Sequence, residues 1–238
     1  MPVWLNVIVL FSAAAQGFLG FGFGVLGMAL SSLVVGPRDS NLLWTLLALP
    51  LVAAMWVWLR RHTDRRRLLW LLAGAGVGTP LGVWVLATAE LAVLRWIVGV
   101  LILVFAGYTL WNPDFGAREI SPSWGAPAGC VSGFFSGAAS VGGPAAVAFL
   151  LISGLDKSTI KATLAAYFGA NLVWKLALLS RWGNLLRGWH LTTAGWLLLP
   201  LLAGMAGGLW ASQFVSTARM KRIMCGFLFV PGTLLLLQ

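Results

Sequence analysis

Eight long apolar runs separated by short polar connections leave this chain no way to fold as a water-soluble globule. They are Val3–Gly36, Asn41–Leu59, Leu68–Thr88, Leu91–Leu110, Trp124–Gly154, Thr159–Leu179, Leu191–Phe214 and Ile223–Leu237. A spanning helix needs about 20 apolar residues, so each run is read as a membrane segment. Composition agrees: 60% of the 238 residues are hydrophobic and 9% charged, against about 45–50% and about 25% in soluble domains. The expected fold is an all-α integral membrane protein, one transmembrane domain over residues 1–238 with no linker long enough to divide it.

The remaining polar residues fall where a bilayer would put them. Trp58, Trp70, Trp111, Trp124, Trp182 and Trp189 stand at run ends, where an amphipathic indole sits at headgroup level. A net charge of +10 would point to nucleic acid in a soluble protein. In a membrane chain it is loop arginine that sets topology and faces anionic lipid, so no nucleic-acid partner is expected. Cys130 and Cys225 each lie inside an apolar run, so neither a disulfide framework nor a metal site is expected. His62 and His190 lie in polar connections and are read as solvated. Residues Met1–Val9 lack a basic stretch, and the first run exceeds the length of a cleavable signal.

The chain repeats itself. Thr45, Ala48 and Trp56 lie 118 residues before Thr163, Ala166 and Trp174; Gly78, Gly82, Trp84, Arg95 and Ile97 lie 126 before Gly204, Gly208, Trp210, Lys221 and Ile223. Two four-segment repeats follow, about 3–111 and about 124–238. Internal symmetry of this kind places a transporter's substrate site at the repeat interface.

The first and fifth runs hold 34 and 31 residues. As straight helices they would reach roughly 45–50 Å, against a hydrocarbon core of about 30 Å. Each carries central glycines: Gly17, Gly20, Gly22, Gly24 and Gly27, then Gly133, Gly137, Gly142 and Gly143, followed by Pro144. Glycine costs about 1 kcal/mol in a helix interior and proline removes a donor, so both runs are expected to break into half-helices. If all runs cross, Lys and Arg divide eight (Arg60, Arg61, Arg65, Arg66, Arg67, Arg118, Arg181, Arg187) to seven (Arg38, Arg95, Lys157, Lys161, Arg219, Lys221, Arg222). If runs one and five dip in and return, the same residues divide eleven to four. The positive-inside tendency favours that second arrangement, with inverted repeats and the Arg60–Arg67 loop cytoplasmic.

Irregular backbone is tolerated in a bilayer only inside protein or beside a water-filled cavity. Gly142-Gly143 permits close approach, and Pro144 suits the first turn of a new half-helix, whose free N–H groups and dipole attract an anion. Ser136 and Ser140 add hydroxyls, while Gln16, Gly20, Gly22 and Gly24 offer a matching set from the first repeat. The competing reading of such glycines is close helix packing. Lys175 lies within a run, with Asn171 and Tyr167 on its helical face at four-residue spacing. An intramembrane cation suits an anionic substrate, although snorkelling to the segment end would also accommodate it. All six acids, Asp39, Asp64, Glu90, Asp114, Glu119 and Asp156, lie in connections or at run ends. A cation carrier normally needs intramembrane carboxylates, so the cargo is expected to be an anion, with any coupled proton riding on it. Ser136-Gly137 has the wrong preceding spacing for the serine of rhomboid proteases, and no deep histidine could serve as its base. No enzyme activity, cofactor or metal is expected. A monomer and a homo-oligomer are both compatible with the sequence.

Gly17-Phe-Leu-Gly-Phe-Gly-Phe-Gly24, paired with Ser132-Gly-Phe-Phe-Ser-Gly-Ala-Ala-Ser-Val-Gly-Gly-Pro144, resembles the sulfite exporter TauE/SafE family, the TSUP permeases. So do Arg60-Arg-His-Thr-Asp64 and the glycines Gly74, Gly78 and Gly82, and the similarity runs from about Val7 to Leu235. The resemblance implies an inner-membrane permease exporting small sulfur-containing anions such as sulfite, sulfonates or sulfoacetate. The chain departs from the pattern in lacking a proline after its first glycine cluster and in the less glycine-rich Gly137–Val141 stretch. The expected mechanism holds the anion between half-helix N-termini near Gly20–Gly24 and Ser140–Pro144 while two repeats rock. A membrane factor that assembles or retains another complex is the alternative.

Overall fold

A computed structural model describes residues 3–35, 37–88, 120–181 and 188–216, with Arg219 and Ile223. The fourth run, nearly all of the eighth, Cys225, Glu90, Asp114 and Glu119 lie outside the described residues. The elements are α1 (Val3–Leu19), α2 (Phe23–Val35), α3 (Pro37–Leu59), a 3-10 turn (Arg60–His62), α4 (Arg65–Thr88), a second 3-10 turn (Pro122–Trp124), α5 (Gly125–Ala139), α6 (Gly143–Ile152), α7 (Lys157–Arg181), α8 (Gly188–Trp196) and α9 (Leu198–Gln213). Among the described residues there is no strand. Three stretches, Asp39–His62, Arg65–Thr88 and Lys157–Ser180, are each long and apolar enough to cross a membrane. The chain is an all-α membrane protein.

The seventh run differs from a plain span: α8 and α9 meet at a 48° bend. The cause is Pro200, two residues into α9, which has no N–H for the Trp196 carbonyl and whose ring would strike it. The first and fifth runs break where their glycines cluster. α1 ends at Leu19 and α2 starts at Phe23; adding 120 to each gives Ala139 and Gly143, the end of α5 and start of α6. The hydrogen bonds at the two ends correspond as well, Gly20 N–H to the Gln16 carbonyl at 2.7 Å and Ser140 N–H to the Ser136 carbonyl at 3.1 Å. The Ser132 hydroxyl donates to the Gly142 carbonyl ten residues later. A straight helix would hold these about 15 Å apart, so the chain folds back on α5 before α6 begins.

Lipid tails are as apolar as leucine, so membrane helices associate through close backbone approach rather than hydrophobic drive. α4 lies along α5 and α1 along α9. A Cβ at Gly78 or Gly82 would overlap the carbonyl oxygen of Cys130 or Phe134; one at Gly204 or Gly208 would overlap that of Leu10 or Ala14. Gly78 and Gly82 precede Gly204 and Gly208 by 126, and Leu10 and Ala14 precede Cys130 and Phe134 by 120. A late helix of each half thus clasps the broken helix of the other by the same contact. α7 joins the two resulting cores, with Leu164 and Tyr167 packed among Phe21, Phe135 and Phe149, and Ala165 among Phe23, Trp44 and Met205.

His190 corrects an expectation. It is not solvated: α8 begins before the apolar run and buries the imidazole completely, 3.2 Å from Oδ1 of Asp39 in the first turn of α3. His62 is exposed.

Asp64 and Asp156 sit at helix starts. Oδ2 of Asp156 accepts from the N–H groups of Ser158 and Thr159, while Arg67 donates to both oxygens of Asp64. Partial burial opposes ionisation of each, but these hydrogen bonds prevail and hold both carboxyls below the usual carboxylate range. With its folded pKa lowered, Asp156 stabilises fully above its unfolded value and stops doing so as pH falls through the folded one. Asp156→Ala is expected to cost about 1 kcal/mol near neutrality. The difference in Tm from wild type should close as the pH is lowered from neutrality through the folded carboxyl's pKa.

Candidate functional site

A cavity of about 60 Å³ lies between the two breaks. A water needs about 10–15 Å³ by the same measure, so the space suits one small ion. Gln16, Gly22 and Gly24 line it from the first break, and Ser136, Ser140, Gly142 and Gly143 from the second. The N-terminal residues of α2 and α6 therefore face one chamber. Their first-turn N–H groups have no acceptor within their own helices, and the positive ends of both dipoles point there. The breaks touch directly: a Cβ on Gly24 would strike the Ser140 carbonyl, and Gly143 abuts the Phe21 ring.

Backbone conformation explains where the chain turns. Gly20 and Gly22 have φ of +92° and +110°, which glycine adopts freely. The residue matching Gly20 is Ser140, with φ +56°, the one described non-glycine residue at positive φ. A serine pays about 1 kcal/mol or more there, and what it supplies that glycine lacks is a hydroxyl on the cavity wall.

That hydroxyl is held by Lys175. The lysine is fully buried, so it does not snorkel. Its Nζ donates to Ser140 Oγ at 2.7 Å, Asn41 Oδ1 at 2.8 Å and the Ser136 carbonyl at 2.9 Å. Three acceptors match the three donors of an ammonium. No carboxylate pairs with it among the described residues, and no cavity-lining residue is acidic. Thr45 Oγ1 donates to the Asn41 carbonyl at 2.7 Å and stands 3.3 Å from Ser140 Oγ. Ser140 Oγ already accepts from Lys175 and the Thr45 proton is committed, so the proton between the two hydroxyls belongs to Ser140. At 3.3 Å that bond is long, and the proton is free to turn into the cavity.

Not every residue singled out in the sequence reaches the cavity surface. Gly20, Pro144, Asn171 and Lys175 do not line it. Gly20 shapes the turn, and Pro144 occupies the first turn of α6. Lys175 reaches the cavity wall through its hydrogen bonds to the Ser136 carbonyl and Ser140 Oγ. Asn171 Oδ1 accepts from Thr79 at 2.6 Å, while its buried Nδ2 has no partner among the described residues. Tyr167 is buried, with its hydroxyl 3.4 Å from the Gly129 carbonyl. Gln16 is more committed than its sequence position implied: Nε2 donates to the Gly20 carbonyl, and Oε1 accepts from the Phe23 N–H. One side chain thereby splices the end of α1 to the start of α2.

Sequence reasoning passed over Asn41 and Thr45, whose four-residue polar spacing on an apolar helix was the available signal. It also passed over the apolar wall of Phe23 and Trp44, in edge-to-face contact with centroids 4.7 Å apart, and of Ala48, Val52, Phe168 and Leu172.

A multi-spanning helical protein with a small chamber at paired helix breaks, walled partly by hydroxyl and amide groups, has the architecture of membrane channels and permeases. The sequence profile of the family described as Sulfite exporter TauE/SafE matches residues 5–235. The chain belongs to that family and is a membrane transporter, not an enzyme. No curated protein and no solved structure matches it.

Proposed function

We propose that this protein exports a small sulfur oxyanion, sulfite or a species of similar size, across the inner membrane by alternating access. Gln16, Gly20, Gly22 and Gly24 from the first break, with Ser136, Ser140, Gly142, Gly143 and Pro144 from the second, form the binding site. Lys175 supplies its fixed charge, and Asn171 braces the helix that carries it. The observation that carries this reading is the buried Lys175 ammonium, which has no carboxylate partner among the described residues and donates to Ser140 Oγ on the cavity wall. A positive charge that is buried without a counter-ion is costly, and a transient anion would relieve that cost. The fold-back at the second break, with a break at the matching place in the first run, favours re-entrant half-helices, two repeats of opposite orientation, and a cytoplasmic Arg60–Arg67 loop. Rocking of the repeats about the Gly24–Ser140 contact would then open the chamber to either side. The small volume favours sulfite over bulkier sulfonates.

Sulfite efflux from proteoliposomes tests the reading. Gly143→Leu puts a side chain against Phe21 at the chamber and is expected to abolish flux. Ser140→Ala removes the turning proton and should slow flux about tenfold, the loss of one charge-assisted hydrogen bond. Wild-type flux in both variants would overturn the assignment. An assembly factor without transport activity would show no flux even in the wild type, and no thermal stabilisation by sulfite.

A further inference from the structure

A second, larger cavity of about 260 Å³ opens where the start of α7 meets the end of α9 and the end of α3. Lys157, Ser158 and Lys161 line it from α7, Ser212 and Gln213 from α9, and Trp58 from α3. Nothing in the transport site described above uses it.

Its chemistry is that of an oxyanion host. Lys157 Nζ donates to the carbonyls of Ser212 and Val215 at 3.1 and 2.8 Å, and Lys161 Nζ to that of Gly17 at 2.8 Å. Those acceptors are neutral, and among the described residues no acidic side chain lines the cavity. An ammonium has three donors; Lys161, only 3% exposed, shows one of them engaged. The turn Arg60–His62 packs against α7 beside the cavity and adds Arg60 and Arg61 to the local positive field, which draws anions toward a cleft.

The position relative to the chamber is equally informative. Lys161 lies along Gly20, whose Cβ, were there one, would meet Lys161 Cγ at 3.0 Å. Gly22, two residues on, lines the chamber. The Lys161 side chain and the Gly17–Gly20 turn therefore stand between the two cavities.

We infer that the cavity framed by Lys157, Lys161, Ser158, Ser212 and Gln213 is a second oxyanion-binding site, an antechamber in series with the Ser140 site. The bound group is a compact oxyanion, either the free transported anion or the phosphate of an anionic lipid headgroup reaching in beside Trp58. The inference deepens the transport reading and rests on it only for the free-anion source.

The test uses the full chain purified in uncharged detergent and titrated calorimetrically with sodium sulfite, then with short-chain phosphatidylglycerol. Two sulfite-binding events are expected in the wild type. Lys157→Gln with Lys161→Gln should weaken one event about tenfold or more, as lost charge-assisted hydrogen bonds would, and leave the other. Ser140→Ala should alter only that other event. Because Lys161 also holds Gly17, Gln213→Glu serves as a second variant. It places a carboxylate in the cavity from an exposed position and should weaken the same event without removing a lysine. Phosphatidylglycerol binding that is lost in these variants, with a single unaltered sulfite event, assigns the site to the lipid headgroup. Unchanged binding of both probes in both variants overturns the inference. If Ser140→Ala alters neither sulfite event while the lysine variant loses one, the chamber reading fails and the antechamber stands.

Discussion

Lys175→Met is expected to reduce sulfite flux by about 100-fold or more while leaving a protein that still inserts. The distances set the scale. The ammonium lies 2.7 Å behind Ser140 Oγ, so an anion accepting from that hydroxyl would sit about 5 Å from the charge. At an effective dielectric of about 20, that pair is worth roughly 3 kcal/mol, or about two decades of affinity. Methionine also leaves Asn41 Oδ1 and Ser140 Oγ without that donor, while the Ser136 carbonyl keeps the Ser140 N–H; a buried polar group left unpaired costs about 1–3 kcal/mol. The variant should therefore melt at lower temperature as well as transport slowly. Lys175→Arg separates the effects: it keeps the charge but its planar fork does not match three acceptors in this arrangement, so partial flux is expected. Wild-type flux in Lys175→Met protein would remove the lysine from the mechanism.

Gly82→Leu is expected to prevent assembly of the native fold. The side chain would begin inside the Phe134 carbonyl, and backbone cannot yield as a flexible side chain can. Forcing α4 away from α5 would lose contact along both helices, for a cost of about 3 kcal/mol or more. The readout is a monodisperse peak in detergent size exclusion together with a Tm. Gly76→Leu, six residues earlier on the same helix, is the control: nothing lies within 4 Å of its Cβ position. It should behave as wild type or melt slightly higher, since glycine is the poorer helix former. Equal behaviour of the two variants would mean that backbone approach between α4 and α5 does not hold the halves together.

Much of the architecture was legible because a bilayer allows few solutions. Run length marks helices, and clustered glycines mark their breaks, so the ends at Leu19 and Ala139 fall where Gly20 and Gly142 predict. Pairing Gln16, Gly22 and Gly24 with Ser136, Ser140, Gly142 and Gly143 also followed from spacing, and those seven residues line one cavity. Legibility stopped where an apolar run looks uniform. Pro200 bends the seventh run within a continuous hydrophobic stretch, and His190 is drawn inward by Asp39, 151 residues away. Asn41 and Thr45 carry no motif. They matter because α3 lies against α7, bringing Asn41 within hydrogen-bond reach of Lys175, 134 residues distant.

The sequence alone determined that this chain is helical, membrane-embedded, broken twice at equivalent places and poor in buried acid. Those properties follow from local composition, which the bilayer reads one segment at a time. Only the tertiary structure decided what Lys175 does. Snorkelling and ligand orientation have the same helical address, and the choice between them was made by three acceptors from α3, α5 and the break after α5 closing around one ammonium.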